Sequence, residues 1–160
     1  MADRRTLDST LAGSTMTGSR ETFDYRPTAV MPDVKVVKIG GQSILDRGRA
    51  AVYPILEEIV AARKLGIQVV LLAGGGTRAR HIYSIASELE VPTGVVATLG
   101  KYIPMQNARM LQMLLAKHGG IYMLPDDFEK LPLYLQMGCI PVMSGMPPFG
   151  YWEKREEGRW

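Results

Sequence analysis

Four short runs of apolar and β-branched residues, spaced between stretches of helical periodicity, constrain this chain most. They are residues 34–39 (VKVVKI) ahead of Gly40-Gly41, 67–73 (IQVVLLA) ahead of Gly74-Gly75-Gly76, 121–124 (IYML) ahead of Pro125, and 140–145 (IPVMSG). A strand that is apolar throughout, instead of alternating with polar residues, is covered on both faces. Such strands interleaved with helices predict an α/β fold, a parallel sheet with helices on both sides.

Between the strands, Val52, Leu56, Ile59 and Val60 fall on one helical face, and Arg63-Lys64 complement the dipole ahead of Gly66. Pro54 predicts a kink there, or a helix start near Tyr53. Thr77 is expected to cap a helix reaching about Leu89, with Ile82, Ile85, Ala86 and Leu89 inward. Residues 94–98 read as a short apolar element. A helix from about Pro104 to Lys117 is expected to bury Met110, Leu111, Leu114 and Leu115. Residues 126–137 read as a helix or helical turn interrupted by Pro132, with Asp126-Asp127 at its positive end.

Residues 1–30, rich in Ser, Thr, Gly and Asp, are expected to form a flexible N-terminal arm, leaving 31–150 as the folded domain. The charged and aromatic stretch 151–160, YWEKREEGRW, is expected to be a tail at a truncation, because no pattern after the fourth strand extends or covers the sheet. No apolar run approaches the roughly 18 residues of a membrane span. The first residues carry arginines with no apolar core behind them, so a secretory leader is not expected. A lone Cys139, flanked by apolar residues, excludes an internal disulfide and reads as a structural thiol in a reducing compartment, by default the cytoplasm.

The net charge of +3 is unevenly spread: residues 34–120 hold eleven basic and five acidic side chains, a local excess of six. That segment also holds the glycine clusters, which suits a small anion, although a solvated basic face explains the charge equally well. No basic run is interleaved with aromatics, so nucleic acid is not an expected partner. Two histidines without ligand spacing make a zinc site an unsuitable reading, and no metal ligands are assigned. The methionines, Met105, Met110 and Met113 among them, read as core and interface filler.

In an open parallel sheet, ligands bind beyond the carboxyl ends of the strands. Three loops leave that edge: Gly40-Gly41-Gln42-Ser43, Gly74-Gly75-Gly76-Thr77 and Ser144-Gly145-Met146-Pro147. Glycines allow close backbone approach to an anion, and the amides at a following helix start donate to it. Lys38 stands two residues before the first pair; Arg78 and Arg80 follow the second cluster and offer planar donor forks. One glycine pair after a strand is ordinarily only a turn. Two such loops, each beside a basic side chain, form a candidate oxyanion site of Lys38, Gly40, Gly41, Gln42, Gly74, Gly75, Gly76, Arg78, Ser144 and Gly145. Arg80, His81 and Gln106 are further candidate pocket residues, whereas His118 reads as a cap or interface residue. No Walker-type phosphate loop occurs, and the Gly74-x-Gly76-x-x-Ala79 match to a dinucleotide fingerprint lacks its acidic residue after the next strand.

The strings VVKIGGQSILDRGRAAVYPILEEIVAARK, GGGTRARHIYSIA, QNARMLQMLLAKHG and SGMPPFGYW together resemble the amino acid kinase family, which includes uridylate, acetylglutamate and aspartate kinases. RGRAAVYP, TRARHIYSIA and SGMPP are similar to a branch of it that stores molybdate or tungstate. The resemblance implies a three-layer α/β/α sandwich. It implies that Lys38, Gly40 and Gly41 correspond to the family's phosphate-binding lysine and loop, with Lys38 catalytic, and that Gly74–Gly76 and Arg78 correspond to the acceptor loop. It further implies ATP and magnesium as cofactors and molybdate or tungstate as cargo. The partners it implies are like subunits in a homo- or hetero-oligomer, a hexamer in the storage branch. By the same resemblance, the half that holds adenine begins after the PPF segment, so the enzymatic competence of this polypeptide is left open. Three readings follow: an oxyanion storage subunit with ATP-linked uptake, a uridylate-kinase-like phosphotransferase, and a non-catalytic fragment that binds anions or a sister subunit.

Overall fold

The β-branched stretches pair as expected. The computed structural model describes residues 31–145, and the strands are β1 (Lys35–Ile39), β2 (Val69–Ala73), β3 (Gly120–Tyr122) and β4 (Ile140–Ser144). They form one parallel sheet in the order β1-β2-β4-β3. The arm at 1–30, the tail at 151–160 and Met146-Pro147 of the third loop lie outside the described residues.

Alternation along the strands divides the core into two layers. On one face Ile39, Leu71, Ala73, Ile140 and Val142 meet Val52, Leu56 and Ile59 of α1 (Arg49–Lys64). The same layer takes in Ala108, Leu111 and Leu115 of a 23-residue helix, Thr93–Leu115. On the other face Val70, Leu72 and Met143 meet Leu131 and Leu135 of a short helix, Leu131–Gln136. A further helix, α2 (Gly76–Glu88), packs along the long helix, which is α3; the short one is α4. The chain steps outward from β1 to β3 over the first face and returns inward to β4 over the second. Right-handed crossovers that run in opposite directions must use opposite faces, which puts α4, among the described helices, on the side away from α1 and α3.

Several boundaries differ from the sequence reading. α1 starts at Arg49, ahead of Tyr53, and continues through Pro54. The proline lies in the second turn and is exposed, so the missing N–H removes only one bond near the helix start. Residues 94–98 are the beginning of α3, which runs through Pro104 and does not start there. Gly100, four residues earlier, has no side chain, and the Tyr83 phenol of α2 lies where its Cβ would be, the hydroxyl oxygen 2.0 Å from that point. The two helices therefore meet at a glycine. Pro104 itself is fully buried, with its ring 3.4 Å from the Cβ position of Gly75. Ile85, Leu89 and Met110, expected inward, are exposed. Residues 125–130 are a 3-10 stretch preceding α4.

At the opposite, amino edge of the sheet, Arg63 ends α1 and its Nε donates to the Gly138 carbonyl at 2.5 Å. Gly119 and Gly138 hold φ of +83° and +70°, and a Cβ on either would come 3.3–3.5 Å from the Arg63 guanidinium. One side chain thus ties together the turns that enter β3 and β4.

Candidate functional site

β1, β2 and β4 are neighbours, so the first two loops and the Ser144-Gly145 start of the third leave their carboxyl ends side by side. The ladder extends into them: the Gly74 N–H donates to Ile39 O at 2.8 Å, and the Gly145 N–H to Ala73 O at 2.8 Å. Ser144 pairs in register with Ala73 and is half-buried.

The first two loops touch backbone to backbone. A Cβ on Gly41 would lie 2.1 Å from Gly76 N and 2.3 Å from its Cα; one on Gly74 would lie 2.9 Å from Gly41 N. Gly76 holds φ +72°, a conformation glycine adopts without strain. These glycines thus meet a packing demand of their own, beyond access for a ligand. Beyond Gly41 the chain turns into a short 3-10 segment, Leu45–Arg47. Ile44 and Leu45 N–H donate to Gly40 O, and Asp46 N–H to Gly41 O at 2.7 Å. Among the described residues, the N–H groups of Gly41, Gln42, Ser43 and Gly75 donate to no protein acceptor. Donors grouped in this way on a loop form an anion-binding surface.

Thr77 is inside α2 and does not cap it. The cap comes from elsewhere: Asp46 Oδ2 accepts the Thr77 N–H at 2.8 Å. That backbone hydrogen bond, helped by the nearby Arg78 charge, holds the Asp46 carboxyl below its ordinary value.

The basic residues are distributed unequally. Arg80 donates through Nη1 to Gln42 Oε1 and bridges the two loops. Arg78 turns to α3: its Nη1 donates to Gln106 Oε1 at 3.0 Å and its Nη2 to Asn107 Oδ1. Lys38 is exposed and projects from β1 on the face opposite Ile39, away from α1 and α3. His81 is exposed. The structure therefore groups Gly40–Gln42, Gly74–Gly76 and Arg80, and pairs Arg78 with Gln106. Lys38 stands on the other side of the sheet edge from that pair.

Asp46 and Asn107 escaped the sequence reading. Asn107 is the one buried polar or charged side chain among the described residues. Its Nδ2 donates to Gly74 O at 2.7 Å and approaches Gly75 O at 3.4 Å. An asparagine on the inward stripe of a helix, beside Ala108 and Leu111, was the available signal. Nothing local marks Asp46, whose partner is 31 residues away. Among the described residues no three His, Cys, Asp or Glu side chains gather in one place.

The amino acid kinase family model matches residues 33–156. The chain belongs to the amino acid kinase family. It is 52% identical over 129 residues to the molybdenum storage protein subunit beta of Azotobacter vinelandii, covering 81% of this chain and 46% of that one. It is 31% identical over 116 residues to the uridylate kinase of Methanocaldococcus jannaschii, covering 71% of this chain and 51% of that one. The uridylate kinase of Halorubrum lacusprofundi is 34% identical over 117 residues, covering 71% and 47%. The chain spans about half the length of the curated relatives it matches. Among the described residues no helix is long and apolar enough to cross a membrane.

Proposed function

We propose that this chain is an oxyanion storage subunit that takes up molybdate or tungstate, linked to ATP, within a homo- or hetero-oligomer of like subunits in the cytoplasm. The observation that carries this reading is the 52% identity to a molybdenum storage subunit, which spans both glycine loops. The donor chemistry supports it. Molybdate is a tetrahedral dianion close in form to phosphate, and unpaired loop amides with nearby cations suit either. Hydrolysis of ATP would supply the free energy for uptake; on this chain, Lys38 and the Gly41–Ser43 amides would hold phosphoryl oxygens. Magnesium would accompany the ATP, held by its phosphate oxygens and waters with one or two carboxylates.

The outer face of α3 supports the oligomer. Leu99, Tyr102, Met110 and Met113 are exposed there, Met113 at 68%. They are disposed symmetrically about Gln106, so an antiparallel copy would set Leu99 against Met113 and Tyr102 against Met110. A two-fold interface requires this self-complementarity.

The test is isothermal titration of the full chain with molybdate, alongside elemental analysis and native mass of the protein from molybdate-fed cells. Retained molybdenum in an oligomer, and at least tenfold weaker binding in the Lys38→Ala, Arg78→Ala double variant, are expected. Unchanged affinity in that variant would refute the two-loop site. A second reading, a phosphotransferase acting on uridine monophosphate, has the 31% and 34% identities in its favour. It predicts ATP-dependent phosphorylation of that nucleotide and no retained metal. A metal-free chain that binds neither ATP nor oxyanion would leave the third reading, a non-catalytic fragment.

A further inference from the structure

We propose that Asn107 is a positioning residue of the oxyanion site: from α3 it orients the donors of the Gly74–Gly76 loop, and Arg78 sets the orientation of its amide. This rests on the reading of the two glycine loops as an oxyanion site. Asn107 is 0% exposed, and its side chain spends its hydrogen bonds on that loop and on one residue of α2. Nδ2 draws the carbonyls of Gly74 and Gly75 toward α3. In a trans peptide the carbonyl and the N–H of the next residue point in opposite directions. Holding the Gly74 and Gly75 carbonyls toward α3 therefore turns the Gly75 and Gly76 N–H groups away from it. On that side lies Gly41, whose Cβ position is 2.1 Å from Gly76 N. The donors of the second loop are thus presented beside those of the first.

An asparagine amide can bind either way round, and only one orientation offers N–H groups to the carbonyls. Arg78 resolves the choice, because a guanidinium only donates and so selects Oδ1. Gln106 secures Arg78 through its other terminal nitrogen. Arg78 therefore acts here through Asn107, in addition to any contact its remaining N–H groups make with an anion.

The experiment pairs molybdate titration of the full chain with amide NMR of Gly75 and Gly76. Asn107→Asp keeps an acceptor for Arg78 but sets carboxylate oxygen against the glycine carbonyls. Shifted Gly75 and Gly76 resonances with at least tenfold weaker molybdate binding are expected. Lys38→Ala, by contrast, should weaken binding without moving those resonances. If Asn107→Asp does not fold, Arg78→Ala on an exposed residue frees the amide to turn, and the same resonances should shift. Unmoved Gly75 and Gly76 amides, or wild-type affinity in a folded Asn107→Asp, would overturn the proposal. If the unmodified chain binds no molybdate, the functional reading fails, while the amide shifts still decide whether Asn107 orients the loop.

Discussion

Asp46 accepts the backbone N–H of Thr77 at 2.8 Å, so the turn after β1 caps the helix that follows β2. A helix start leaves its first N–H groups unpaired, and a carboxylate there also meets the positive end of the dipole. Together with the Arg80–Gln42 hydrogen bond, this carboxylate ties the first crossover to the second at the edge where the loops gather.

Asp46→Ala should lower stability by about 1 kcal/mol, the usual effect of losing a cap. The pH dependence follows in sign. Because the folded carboxyl lies below its ordinary 3.8, its contribution is complete above that value and is lost as pH falls through the lowered one. Melting curves followed by circular dichroism should show a gap between the two proteins that is constant at neutral pH and narrows below about pH 4. A gap that widens on acidification would contradict this.

Gly41→Ala should cost about 2–3 kcal/mol and disrupt anion binding, because its Cβ would meet only backbone atoms of the neighbouring loop, at 2.1–2.6 Å. Gly66→Ala meets nothing within 4 Å and is strained only by its φ of +82°, so about 1 kcal/mol is expected. Urea denaturation of both variants measures the difference. Equal losses would mean that loop contact is not what requires glycine at position 41.

Arg63→Ala should destabilise by about 2 kcal/mol, the worth of a charged donor on a part-buried carbonyl. Arg63→Lys should recover little, since an ammonium has no Nε at that point on the chain. Thermal unfolding of both, together with hydrogen exchange of the Gly138 region, tests the assignment.

Met113→Asp places a charge on the outer stripe of α3 without touching the core, and Met113 is already 68% exposed. Sedimentation should show a smaller species than wild type, with a change in monomer stability within about 0.5 kcal/mol. An unchanged sedimentation profile would place the subunit contact elsewhere.

The strands and their parallel pairing were legible because each burial pattern is local: VVLLA reads as covered on both sides wherever it occurs. Helix ends were less so. Pro54 and Pro104 both signal a boundary by local chemistry, yet both lie inside helices, where packing of Leu56 and Ile59 or of Ala108 and Leu111 outweighs one missing bond. The site divides the same way. Its glycines announce themselves as clusters, but what they contact does not. Gly41 against Gly76, Asp46 with Thr77 and Asn107 beneath Gly74 are all joined across more than thirty residues. A single sequence holds no period or spacing that links them.

The strand order carries a consequence for synthesis. β3 has β4 as its sole neighbour in the described sheet, and β4 must enter between β3 and β2. While the ribosome is still upstream of residue 140, only the β1–β2 pair can form, and β3 has no edge to join. Loop closure over long separations precedes the reward of such pairing, which makes it slow. The nascent chain therefore carries part of the apolar faces of α1 and α3 uncovered until β4 emerges. A holdase that shields apolar helices would act in this interval.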